Sequence, residues 1–355
     1  MSKSVLYDLE IMHGAKMAEK CGVMIPKLFS AENIEADAVK DKCVMYDLTD
    51  KAKILITGKE CYNFASFIST KIIMKNKITK TLILDDEANI VDIVKIYYIS
   101  ETEILVVIGL TSYEETIKYI KKKAELYDVE IKSLHNELYQ IALMGQRSKE
   151  IMEKFLQSEY QNKYNVSSLT PGDYIINRND DLKILYHENR LALTYGIMAS
   201  KDEIIRIYKI LSMNPNVLLG GTDSYNVLRK RARRLEYGVD IDRTINPYEA
   251  SLEALVDYSH DFISRDKLLK LSIFPPTKRF VGIEFNAKNI YDNTFDIYYY
   301  GNVVGRVTSV CHETSIKCIG VGFIDTEILA LLHSLDTSLT VKVGNEFVSV
   351  EVVEV

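Results

Sequence analysis

Pro275-Pro276 constrains the fold of this chain most, because two successive prolines fit neither a helix interior nor the hydrogen-bonded middle of a sheet. The character of the sequence changes at that point. From Arg279 onward, Phe280–Phe285, Phe295–Tyr300, Val303–Val310, Ile319–Phe323 and Leu339–Val353 are rich in β-branched and aromatic residues and read as strands. Gly301-Asn302 stands between two of them where a two-residue hairpin turn belongs. Residues 275–355 are therefore expected to form a separate all-β domain, Greek-key or barrel-like. Ahead of the prolines, strand and helix patterns alternate. Lys51–Thr57, Lys80–Leu84, Ile90–Ile99, Glu103–Gly109 and Tyr139–Met144 read as strands, with Asp85–Asn89 as a hairpin connection. Glu60–Ser69, Tyr113–Glu125, Arg147–Phe155 and Lys201–Leu211 read as helices, as does a stretch capped by Thr222 or Asp223 that runs to Glu236. The opening residues through Met17, Ile34–Lys42, Ser251–Tyr258 and Ser264–Leu271 also carry helical patterns. The fold class implied is α+β.

A chain of 355 residues can bury more than one core, and its 47% hydrophobic and 26% charged residues are ordinary for a soluble protein. No apolar run approaches the ~20 residues a membrane helix needs, and MSKSVLYDLE has no apolar stretch after its lysine, so neither a membrane nor a secretory route is expected. Cys21, Cys43, Cys61, Cys311 and Cys318 are odd in number and scattered, which fits free thiols in a reducing cytoplasm. A net charge of −6 argues against nucleic acid as a partner. Arg229-Lys-Arg-Ala-Arg-Arg234 is the strongest basic run. It reads as the solvated face of a helix whose apolar stripe is Leu228, Ala232 and Leu235, with an anion-gripping patch as the alternative. His13, His135, His187, His260, His312 and His333 show no metal-ligand spacing, and Cys311-His312 with Cys318 lacks a fourth ligand, so no metal is expected. No phosphate-binding glycine loop and no serine–histidine–acid pattern is present.

Several blocks then occur in a telling order. Leu6-Tyr-Asp8 leads to Gly14-Ala-Lys-Met17 and Pro26. Val44-Met-Tyr-Asp-Leu-Thr49 is followed by Ile54-Leu-Ile-Thr-Gly58, and later by Ala142-Leu-Met-Gly145. Tyr237-Gly-Val-Asp-Ile-Asp242 precedes Asn246-Pro-Tyr-Glu249 and Asp261-Phe-Ile263, and Gly305-Arg-Val-Thr-Ser309 lies in the β-rich end. Together they span nearly the whole chain, and the sequence resembles the glycine-cleavage T-protein (aminomethyltransferase) family. The resemblance implies a three-domain cloverleaf around a central channel. Its approximate divisions are 1–50 with 135–245, then 51–134 with 246–274, then the β domain 275–355. It also implies tetrahydrofolate in the channel, a lipoyl carrier protein as partner, and one-carbon (aminomethyl) transfer assisted by one carboxylate.

Residue by residue, the implied site departs from the family. The family strand that ends in two aspartates and a later tyrosine matches Ala88–Tyr97. Asp92 and Tyr97 are present, but the second, catalytic aspartate falls at Ile93. Asp92 is the only nearby candidate for that role, but it points to the opposite face of a strand from position 93 unless a register slip or bulge re-aims it. The family tyrosine one strand earlier falls at Lys80. The loop that carries a folate-contacting glutamate matches Glu188–Gly196 weakly, and the helix at Gly221–Arg231 has Tyr225 and Arg231 where the family has an arginine and a glutamate. Each lost buried contact is worth ~1–3 kcal/mol, and micromolar folate binding totals only ~8 kcal/mol, so these departures weigh against a folate site of ordinary strength. Ile93, Lys95 and Tyr97 share one strand face. With Lys80, Lys95, Tyr97, Tyr225 and Arg231 as candidate ligand contacts, the alternative to one-carbon transfer is a non-catalytic relative that binds another anionic small molecule or a protein partner. Asp240 and Asp242 read as structural carboxylates that bond neighbouring amides.

Overall fold

The alternation read in the first two-thirds of the sequence becomes two mixed layers rather than repeated βαβ units. The computed structural model describes residues 2–109, 111–161, 163–177, 179, 181–189, 191–290, 292–332 and 338–353; His333 and Arg190 lie outside them. The chain divides into two compact units. One comprises Met1–Ser66, Ile72–Lys80 and Val94–Leu228, and the other Phe67–Lys71, Thr81–Ile93 and Arg229–Val355.

The first unit is built on a six-stranded sheet in the order Tyr174–Ile176, Leu182–Asn189, Leu193–Ala199, Tyr139–Met144, Cys43–Asp47, Val217–Gly220. All neighbours are antiparallel except the last pair, which is parallel. Helices Ser148–Tyr160 and Lys201–Ser212 cover one face. Ile151, Met152, Phe155 and Leu156 of the first, and Ile204, Ile207, Tyr208 and Leu211 of the second, fall at helical spacing and are buried. They meet Met45, Ile141, Leu143, Leu185 and Ile197 from the sheet in a single core.

A five-stranded sheet has the order Thr79–Leu84, Ile90–Ser100, Glu103–Gly109, Lys51–Thr57, Glu130–Ser133. Its first two strands form the expected hairpin, closed by the amides of Asp85 and Ala88 and the Asp85 carboxylate. The tip of this hairpin belongs to the second unit, where Leu82, Leu84, Ala88 and Ile90 pack with Ile241, Ile245, Phe262 and Leu268. After the prolines, Lys278–Asn286, Phe295–Tyr299, Asn302–His312, Lys317–Asp325, Leu339–Val343 and Glu346–Val353 close into a six-stranded barrel around Val281, Ile283, Ile297, Val307 and Val341. The α+β class and the β-barrel end of the chain stand as the sequence implied.

Local readings differ in five places. The helix read in the opening residues through Met17 stops at Met12, and Lys16–Lys20 pairs with Val23–Leu28 in a hairpin turning through Cys21 and Gly22, both at positive φ. Ile34–Lys42 divides into a short helix, Glu32–Asp37, and a 3-10 turn, Ala38–Lys40. The helix opened by Thr222 stops at Arg231 rather than Glu236. Ser251–Tyr258 holds only a 3-10 turn at Glu253–Leu255, and Thr326–Leu332 adds a helix to the region read as all β.

Candidate functional site

On the face of the six-stranded sheet opposite those two helices, residues directly opposite one another form a row across five strands. Tyr186 pairs with Gly196, Gly196 with Ala142, Ala142 with Tyr46, and Tyr46 with Gly220. Directly paired residues project from the same face, so this row is two tyrosines separated by two small residues, with a third, Gly220, beyond Tyr46. The spacing is required. A Cβ on Gly196 would lie 1.9 Å from the Tyr186 ring, and one on Gly220 would lie 2.4 Å from the Tyr46 ring. Each ring therefore lies flat over its glycine, an aromatic–glycine pairing that fills the space a side chain would take.

The rows on either side supply polar groups. Gln140, two residues before Ala142 and on the same face, donates its Nε2 to the Tyr186 hydroxyl at 2.7 Å, while its Oε1 is buried with no hydrogen-bond partner. Glu188, two residues after Tyr186, accepts from Lys95 Nζ at 2.5 Å, and both side chains are partly buried. That ammonium also stands 6.0 Å from the Tyr186 ring centroid, in reach of a cation–π contact. Tyr97, two residues beyond Lys95 on its strand, packs edge-on against Tyr174 at 5.2 Å and Tyr186 at 6.3 Å. It is completely buried and its hydroxyl has no hydrogen-bond partner. Burial first, and the Glu188 charge second, push the Tyr97 and Tyr186 hydroxyls well above their ordinary range, so both remain neutral. At the far end of the row Tyr225 meets Tyr46 edge-on at 5.6 Å, and Ser224 donates to the Tyr46 hydroxyl at 3.3 Å.

In the second unit the best-matched sequence block forms a sealed polar knot. Asp240 accepts from Arg229 Nη1 at 2.5 Å and the Glu236 amide at 2.8 Å on one oxygen, and from Thr308 and Ser309 at 2.7 Å each on the other. Arg229 also donates to the Arg234 carbonyl at 2.7 Å. Arg231 pairs with Glu313 and Arg233 with Glu284. The basic run is thus not a solvated helix face: the helix ends within it, and its first arginine is buried. Asp242 bonds the Thr244 amide and hydroxyl, the neighbouring-backbone role expected for it.

The model that defines the GCVT N-terminal domain family matches residues 6–260. The chain belongs to that family. It is 25% identical over 361 residues to an aminomethyltransferase of Thermosipho melanesiensis, covering 100% of this chain and 96% of the relative. It is 25% identical over 349 residues to an aminomethyltransferase of Clostridium botulinum strain Okra, covering 93% and 90%. Among solved structures it superposes on the glycine cleavage system aminomethyltransferase T of Bartonella henselae with a TM-score of 0.88 at 15% identity, over 100% of this chain and 97% of that one.

In this GCVT N-terminal domain protein the residues singled out from sequence fall into groups. Lys95 and Tyr97 come together with Glu188, Tyr186, Tyr174 and Gln140, and Tyr225 caps the far end of the same row. Lys80 is half-buried on its own strand. Asp92 is buried, with Oδ1 accepting from the amide of Ile93 at 2.7 Å, and Ile93 packs against the cluster that holds Leu82, Ile90 and Phe262. Tyr46, Tyr186, Gln140 and the pairing role of Glu188 escaped sequence reasoning. The period-two run Ile184, Tyr186, Glu188 was the one available signal for the second and fourth. Among the described residues no three His, Cys, Asp or Glu side chains could hold a metal ion, and no helix is long and apolar enough to cross a membrane.

Proposed function

We propose that this member of the aminomethyltransferase family binds a small molecule at the Lys95–Glu188 pair beside the buried Tyr186–Gly196–Ala142–Tyr46–Gly220 row and does not transfer aminomethyl groups to tetrahydrofolate through a strand carboxylate. The observation that carries this reading is position 93. An isoleucine in apolar packing stands where the resemblance implies the assisting carboxylate, and the adjacent Asp92 is buried with its oxygen bonded to the strand backbone. An apolar group there cannot stabilise positive charge developing on a transferring nitrogen. The recognition groups also differ from the basic pocket for an anionic ligand expected from sequence. Lys95 is matched by Glu188, so the site offers a cation and an anion side by side. The ligand that suits such a pair carries an acceptor and a donor on neighbouring atoms, or both charges.

A second reading rests on Glu188 itself: one-carbon transfer persists, and this carboxylate takes over the role lost at position 93. Calorimetric titration with tetrahydrofolate and 5-formyltetrahydrofolate separates the two. No heat at millimolar folate is expected under the first. Binding tighter than about 100 μM, or ~5.5 kcal/mol, overturns it. If that affinity is abolished by Glu188→Gln and aminomethyl transfer from a lipoyl carrier protein is lost with it, the second reading holds.

A further inference from the structure

The second unit carries an apolar tip that its own core does not use. Seven consecutive residues, 269–275, are exposed, and four of them are large and apolar. Ile273 and Phe274 are 71% and 73% exposed, with Leu269 and Leu271 at 43% and 38%. The tip is held in shape. Leu268 is buried at its base, the amides of Ser272, Ile273 and Phe274 bond to carbonyls three or four residues back, and Phe280 re-enters the core by donating its amide to Glu249. A run of this kind on a folded protein marks a contact surface.

The charges around it select the partner. Within residues 265–279 stand Arg265, Lys267, Lys270, Lys278 and Arg279 against one carboxylate, Asp266. Glu87 pairs with Lys267 and Glu253 with Arg279, both at exposed positions, and the surroundings stay net positive with these two counted. The chain as a whole carries −6. A second copy docking through the same tip would bring like charge onto like charge. A protein partner needs roughly 800 Å² from each side, more than a seven-residue projection presents. A bilayer asks only for an apolar tip that can enter the headgroup boundary with cations at its rim.

We infer that Leu269–Pro275 inserts into the surface of an anionic bilayer, making this protein a peripheral, reversibly membrane-associated one. This is a different physical statement from a spanning segment, which the sequence lacks. Sedimentation of the full chain with phosphatidylcholine vesicles, with and without phosphatidylglycerol, tests it at low and high salt. The expected result is binding to the anionic vesicles at least about tenfold above the neutral ones, reduced by salt. It should fall to the neutral level in the double variant Ile273→Ser, Phe274→Ser, whose unfolding midpoint should match the parent because both side chains are exposed. Equal partition to both vesicles, no binding to either, or undiminished binding of the double variant overturns the inference. So does a parent dimer, seen by sedimentation velocity, that the double variant abolishes, since the tip would then be an interface between copies.

Discussion

Asp240 and Glu188 are both sheltered carboxylates paired with a cation, and their surroundings give them opposite properties. Both oxygens of Asp240 are engaged, by Arg229, a backbone amide and two hydroxyls, so nothing is left for a ligand. Removing it strands the Arg229 guanidinium in the interior. Asp240→Ala should therefore cost ~3–5 kcal/mol in urea unfolding, and Asp240→Asn less, because the amide oxygen still accepts. Glu188 pairs with Lys95 and stands near the Tyr97 hydroxyl, which is fully buried and lacks a partner, while Gln140 Oε1, on the other side of Tyr186, lacks one too. Unmet buried groups of this kind are where a ligand gains most. Gly196 sets the geometry that holds them. In Gly196→Ala the added methyl would sit within 1.9 Å of the Tyr186 ring, so the ring must move off the strand and break its bond to Gln140. The expected cost is ~1–3 kcal/mol of stability, with loss of any ligand heat seen for the parent; an unchanged unfolding midpoint would show that the ring shifts freely.

At the scale of elements, the strands Cys43–Asp47 and Lys51–Thr57 and the helix Tyr7–Met12 share a buried network with its own pH signature. Burial, reinforced by neighbouring Asp47, pushes the Glu10 carboxyl up, and burial pushes Asp47 up to about 6. Burial lowers Lys53 to about 7, and Lys51 and Lys20 hold Asp50 below its usual range despite burial. Between the ordinary carboxyl value of 4.5 and neutrality the folded chain therefore holds more protons than the unfolded one, so stability falls as pH rises. Above about 7 the depressed Lys53 acts in the opposite sense and offsets Glu10. The predicted outcome is that Glu10→Gln is more stable than the parent at pH 7 by ~1–3 kcal/mol and loses that advantage near pH 4.5. Parallel slopes for the two proteins in urea melts across that range would refute it. The same elements show what sequence could carry. Helical patterning revealed the helix that buries Ile204, Ile207 and Leu211, and the proline pair revealed the barrel that starts at Lys278. The Lys16–Leu28 hairpin was hidden because Cys21 takes a positive φ that an L-residue seldom adopts. Arg233, also at positive φ, lies just past Arg231, where the helix opened by Thr222 ends. The tyrosine row was illegible for another reason. It depends on which of five strands lie side by side, with Gly220 reaching Tyr46 from far along the chain, and no local period reports such pairing.

For the molecule as a whole, the path of the chain matters more than the count of domains. The chain passes repeatedly between the two units, and the hairpin residues Thr81–Ile93 belong to a unit whose remainder comes mostly after Leu228. Leu82, Leu84 and Ile90 are buried only because Ile241, Ile245, Phe262 and Leu268 arrive later. The barrel is different, since its core from Val281 to Val350 lies within one uninterrupted stretch. A fragment of residues 1–228 should consequently expose the hairpin cluster, bind a hydrophobic dye and lack a cooperative transition. A fragment of residues 276–355 should melt cooperatively and keep slow hydrogen exchange at Val307 and Ile283. It should still bind some dye, because Phe280, Val321 and Phe323 lose the apolar partners that cover them in the full chain. If residues 1–228 instead fold cooperatively, the hairpin tip is not needed for their integrity. The later segment would then be an appended cover, and ligand binding beside the tyrosine row, which lies wholly before Leu228, should survive in the fragment.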